Sequence, residues 1–144
     1  MQAPARLRNI ILKVGGVLLV CLGVLHLAVT PIISRFIERN AVASELDWFR
    51  PPMLLNHVVV GILLLPLGVL TFYAASPAIR GERWALVVVR TSALSIACLP
   101  IVLFSLMGYR YFGAWLFSLA TAIVCLAAIV NLVAAFWRSK SSAA

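Results

Sequence analysis

The chain has 144 residues, of which 64% are hydrophobic and 11% charged; a soluble domain keeps about a quarter of its residues charged, so a soluble fold is excluded first. The net charge of +8 is spread over the ends of apolar runs, with no stripe to follow a phosphate backbone. That pattern excludes a nucleic-acid partner and fits the lipid bilayer and its anionic headgroups.

The first apolar run covers about residues 10–30. Arg6, Arg8 and Lys13 ahead of Val14 imitate a secretory signal, but the run is too long for one, and Ala28-Val29-Thr30 is followed by Pro31. It reads as a retained first span. The second span covers about residues 54–75, the third 84–106 and the fourth 112–137. Each reaches the ~20 residues that a helix needs to cross ~30 Å of hydrocarbon. The expected fold is all-α: a four-transmembrane-helix bundle in a single integral membrane domain, residues 1–144.

Residues 76–83 and 107–111 read as tight turns, whereas Pro31 to Pro52 is long enough to have its own structure. Ile33, Phe36 and Ile37 share a helical face, Ser44 with Asp47 resembles a capping box, and Trp48 and Phe49 suit an interface. This predicts a short interfacial helix or lid that Pro51-Pro52 ends; a plain connecting loop is the alternative. Seven Lys and Arg (Arg6, Arg8, Lys13, Arg80, Arg83, Arg138, Lys140) fall on one side of the spans, against Arg35, Arg39, Arg50 and Arg110 on the other. The positive-inside rule then places both termini in the cytoplasm, in a bacterial inner (plasma) membrane.

Both histidines lie inside spans. His26 stands four residues before the end of the first and His57 is similarly placed near the start of the second, so antiparallel neighbours would hold the two imidazoles at one depth in the outer leaflet. Gly16, Gly23 and His26 share an arc of the first helix, as do His57, Gly61 and Gly68 on the second. Small residues at such spacing let backbones approach closely. If the glycine faces meet, within one chain or between two copies, the histidines face each other or a common cleft. Asn56 would stand beside them, with Glu38, Glu45 and Asp47 just above.

His26, His57 and Asn56 are therefore the candidate ligand-binding residues, and His26 and His57 the candidate metal ligands. Two imidazoles suit a transition metal, an axially held haem, or a quinone-like or other small apolar ligand. The plainer alternative is an accessory membrane protein, alone, as a homo-oligomer or in a larger complex, whose histidines only tie two helices together. Enzymatic activity is not expected: HExxH, GxSxG and paired acids within a span are missing, as is a CxxC for a disulfide relay. No span carries the acid that proton-coupled export would use.

Three further features read as structural. Arg90 would snorkel from the third span, with Asn131 on the fourth as a partner. Cys21, Cys98 and Cys125 would pack inside the bundle. Ser92, Ser95, Ser118 and Thr121 would serve helix packing, and Pro66 and Pro100 would kink their helices.

The stretch Gly23-Val24-Leu25-His26, with Pro31 just past the expected helix end, resembles the first-span signature of DoxX-like small membrane proteins. That resemblance covers the first span and the general architecture. It implies a four-helix membrane protein of about this length, of a group in which some members are associated with quinone or respiratory functions, and of its residues it carries over His26 alone.

Overall fold

The computed structural model describes residues 3–40, 43–106, 112 and 115–137, and of residues 3, 40, 43–48 and 116 the backbone alone. Its helices are α1 (Ala3–Asn40), α2 (Ala43–Ile79), α3 (Arg83–Leu106) and α4 (Trp115–Phe136). A chain in lipid must bond its own N–H and C=O groups, which a helix does within one segment. All four are long and apolar enough to cross a membrane. Neighbours touch in the order α1, α2, α3, α4 and back to α1, a closed up-and-down ring, with α1 against α2 the most extensive contact. The chain is thus a small polytopic membrane protein. The end holding Ala3, Ile79, Arg83 and Phe136 is called proximal here, and the opposite end distal.

The packing is the reverse of a soluble core. Ala74, Ala75, Ala78, Ala85, Ala93, Ala134 and Ala135 form the proximal core around Leu12 and Val89. Leu19, Leu22, Leu64 and Ile96 meet Ala127 and Ala128 in the middle. Large side chains face outward instead: Leu63, Ile101, Leu106 and Trp115 are each more than 60% exposed. Lipid rewards no burial of large apolar groups, so close backbone approach through small residues holds the bundle together.

The segment expected to form a separate lid extends α1 and α2 instead. Pro31 lies inside α1, and Pro51 and Pro52 inside α2 rather than ending a helix. A proline removes one donor, and a neighbouring helix stabilises the turn around it. The apolar face read from Ile33, Phe36 and Ile37 is real but belongs to α1: Ile37 is buried, and Phe36 packs edge-on against Phe117 at 6.3 Å. The roles expected of Ser44, Glu45, Asp47 and Trp48 rest on side chains outside the described residues, as does the turn at 107–111.

The proximal turn is tighter than the expected 76–83. Gly81 adopts φ +82°, the left-handed conformation that glycine tolerates best. Its N–H bonds the Ala78 carbonyl at 3.2 Å, and the Glu82 N–H bonds that of Pro77 at 3.1 Å. That is the Schellman pair that satisfies the last carbonyls of α2. The Glu82 carbonyl accepts from the Leu86 N–H at 3.0 Å and so opens α3. Its carboxylate accepts from Arg80 at 2.6 and 2.9 Å and from the Trp84 indole at 2.8 Å. These donors hold Glu82 below the usual carboxylate range, Arg80 first and Trp84 next.

Arg8 closes the ring at the same end. Its Nε donates to the Ala134 carbonyl at 2.8 Å and its Nη2 to that of Ala135 at 3.3 Å. Those carbonyls belong to the last turn of α4, and a cation suits the negative end of a helix.

Candidate functional site

The site lies in the seam between α1 and α2, which glycine brings together. Gly16 meets Gly68 and Gly23 meets Gly61; the two crossings are seven residues apart along each helix, so every step up α1 is matched by an equal step back along α2. A Cβ on Gly16 would lie 2.7 Å from the Gly68 carbonyl oxygen, and one on Gly68 would lie 2.6 Å from the Gly16 carbonyl oxygen. Only hydrogen fits at this crossing. The same register pairs Ser76 with Asn9 at 3.2 Å near the proximal end. Lys13 stands 5.4 Å above the Phe72 ring in the next layer.

Carried distally, the register brings His26 against His57. Their ring centroids are 4.7 Å apart and their planes 31° from parallel, and both residues are half-buried. One turn further, the Thr30 hydroxyl donates to the His26 carbonyl at 2.8 Å and lies 3.1 Å from Nδ1 of His57. Thr30 thus joins the two histidines that the sequence pointed to. It carries no motif; its signal is position, one turn beyond His26 and seven residues beyond Gly23.

The hydrogen-bond distances fit an Nδ1–H tautomer on both rings. Nδ1 of His26 is 3.1 Å from the Leu22 carbonyl oxygen, an acceptor only, so that nitrogen carries the proton. The Thr30 hydroxyl has one hydrogen, committed to the His26 carbonyl over the shorter distance. The hydroxyl oxygen therefore accepts from Nδ1–H of His57. In its neutral form each such ring keeps a lone pair on Nε2. Two tilted imidazoles, both engaged through Nδ1, then stand side by side.

Above them a polar clip fastens the helices. Arg50 of α2 donates to the Ser34 hydroxyl from Nη2 at 2.8 Å and from Nε at 3.3 Å, and it is ion-paired with Glu38. Ser34 also donates to Glu38 at 3.5 Å. His26, Thr30, Ser34 and Glu38 recur every fourth residue, so one face of α1 is polar over three turns. Glu38 is thereby engaged with Arg50 rather than with the histidines. Asn56 is exposed and does not join the pair.

Among the described residues no group of three His, Cys, Asp or Glu is placed to hold a metal ion. A haem held by two imidazoles lies between them as they grip its iron from opposite faces; rings in contact at 4.7 Å leave no slot for it. The residues present do not fit that group.

Other expected partnerships resolve differently. Arg90 is exposed and lies 5.6 Å from the Phe136 ring, not against Asn131. Asn131 is buried, bonds the Ala127 carbonyl of its own helix at 2.8 Å and fills the notch left by Gly15 of α1. Its Oδ1 has no hydrogen-bond partner. Cys21 and Cys98 face outward and Cys125 is half-buried, so two of the three stand outside the packed core; all are free thiols. Of the hydroxyl residues assigned to packing, Ser92 and Thr121 are buried but Ser95 is exposed.

Two apolar hollows lie elsewhere: one of about 150 Å³ between α1 and α2 around Val17 and Tyr73, and one of about 320 Å³ between α1 and α4. Neither is lined by the histidines. No protein family model, curated protein or solved structure matches this chain.

Proposed function

We propose that this is a membrane-embedded binding protein whose His26–Thr30–His57 cluster receives the hydroxyl end of a small apolar ligand of the quinol type. The observation that carries the reading is that both rings are engaged through Nδ1, His26 with the Leu22 carbonyl and His57 with the Thr30 hydroxyl, each at 3.1 Å; in the neutral rings this leaves a lone pair on each Nε2. A lone pair accepts a hydrogen bond; it does not donate one to a quinone carbonyl. The neutral site therefore selects the hydroxyl-bearing form, and the chain's role is to hold and orient it. Half-buried rings within apolar helices suit a ligand that partitions into the membrane.

The resemblance of Gly23 to His26 and Pro31 to DoxX-like proteins supports the quinone-related class, and the Lys and Arg bias supports cytoplasmic termini in a bacterial inner membrane. A transition metal would also accept two Nε2 donors. It is the weaker reading, because Glu38 is tied to Arg50 and no third donor stands near among the described residues.

The test is equilibrium binding to protein in lipid nanodiscs, using a short-tailed benzoquinol kept reduced and the matching benzoquinone. One lost hydrogen bond with a buried group left unpaired costs ~1–3 kcal/mol, so the quinol should bind roughly tenfold more tightly. A His26→Ala, His57→Ala double variant should lose that preference. Equal affinities, or binding unchanged in the variant, would leave the histidines as helix-to-helix ties. Stoichiometric zinc or nickel that the variant fails to bind would favour the metal instead.

A further inference from the structure

The bundle has a second feature that the histidine seam does not use. Between α1 and α4 runs a groove of about 320 Å³, lined by Ile10, Ile11, Val14, Ile129, Val130 and Val133 with no polar surface. Beyond its proximal end, Arg8 of α1 and Arg90 of α3 meet the last turn of α4. Arg8 bonds the Ala134 and Ala135 carbonyls, and the Arg90 guanidinium lies 5.6 Å from the Phe136 ring. Neither has an acidic partner: among the described residues the ion pairs are Arg50–Glu38 and Arg80–Glu82. Three of the four acids in the sequence, Glu38, Glu45 and Asp47, belong to the distal part of α1 and α2, and Glu82 is taken by Arg80 and Trp84.

We propose that this end of the bundle is a binding site for one anionic phospholipid, an acyl chain lying in the α1–α4 groove and the phosphate held over the last turn of α4 by Arg8 and Arg90. The charges are complementary, and the groove and the arginines follow each other in the order of a lipid's own parts. A bare helix C-terminus repels an anion. Arg8 removes that obstacle by occupying two of the terminal carbonyls, and it keeps further N–H donors, since a guanidinium has five.

The experiment uses full-length protein stripped of lipid in detergent, then given phosphatidylglycerol or phosphatidylcholine of identical chains, with bound lipid counted by native mass spectrometry. Phosphatidylglycerol should be retained roughly 25-fold better, since each of the two arginines near the anionic lipid contributes roughly a fivefold preference. Arg90→Gln should lower retention roughly fivefold without disturbing the α4 cap. Val133→Trp, which fills the groove from its lipid-facing side, should lower it through the acyl chain. Arg80→Gln is the control and should change nothing, because it removes a proximal charge outside the site. Glycerol phosphate should not displace the lipid. Equal retention of the two lipids would overturn the proposal. So would a loss in Arg80→Gln as large as in Arg90→Gln, which would mean diffuse attraction, or displacement by glycerol phosphate, which would mean a free-anion site.

Discussion

Alanine in place of Gly16 puts a methyl carbon 2.7 Å from the Gly68 carbonyl oxygen, 2.8 Å from the Phe72 nitrogen and 3.0 Å from the Phe72 Cβ. Two of these are backbone atoms, so no rotamer relieves the contact. Ordinary contact begins near 3.4 Å, so α1 and α2 must part by roughly 0.7 Å at the crossing. A gap of that size forfeits a quarter to a half of each dispersion contact along the seam, and overpacking of this kind costs ~1–3 kcal/mol. Gly16→Ala should therefore destabilise the protein by about 2 kcal/mol. Gly68→Ala, whose methyl would meet the Gly16 oxygen at 2.6 Å and the Val20 nitrogen at 2.8 Å, should cost about the same. The pair should be strongly non-additive, because helices parted for one methyl already have room for the other. The assay is reversible denaturation in mixed micelles, with helicity followed for the single variants and the double. A cost below about 0.5 kcal/mol for Gly16→Ala, or additive costs in the double variant, would refute the account of the seam as a backbone-limited contact.

Three other outcomes follow from single contacts. Thr30→Val keeps the shape but removes the hydroxyl that accepts from His57; it should cost only ~0.6 kcal/mol in stability, yet weaken quinol binding measurably. Arg8→Gln should cost ~1.5–3 kcal/mol by freeing the Ala134 and Ala135 carbonyls, and Arg8→Lys should restore part of it, as thermal unfolding of the three proteins would report. Glu82 has a folded pKa below its unfolded one, so its contribution to stability is present above the unfolded pKa and fades as pH falls through the folded value. Acid titration of stability should show that fading in the wild type and not in Glu82→Gln.

Much of this architecture is legible in the residues. Four apolar runs fix four helices because lipid permits no other backbone solution for them. Gly16, Gly23, Gly61 and Gly68 stand out because glycine has no other reason to recur at helical spacing in such apolar runs. Their faces point to the meeting of His26 and His57 before any coordinates. What stays hidden depends on cross-helix register or on what proline does in a packed bundle. Pro31, Pro51 and Pro52 read as stops, yet they lie within helices that a neighbour supports. The apolar face of Ile33, Phe36 and Ile37 and the Ser44–Asp47 pattern suggest a separate lid, but Ser34, Glu38 and Arg50 clip the extended α1 and α2 together. Arg8 looked like one of several topology charges; that it caps α4 depends on where a helix more than a hundred residues away ends. Depth alone pairs Asn131 with Arg90, whereas the notch at Gly15 decides its place.

The most direct test of the central claim is the nitrogen-15 NMR spectrum of histidine-labelled protein in bilayers, recorded with and without benzoquinol. Both rings should show a protonated Nδ1 and a bare Nε2, and the ligand should move both Nε2 resonances while leaving Nδ1 in place. A spectrum with protonated Nε2 on either ring, or Nε2 resonances indifferent to benzoquinol, would contradict it.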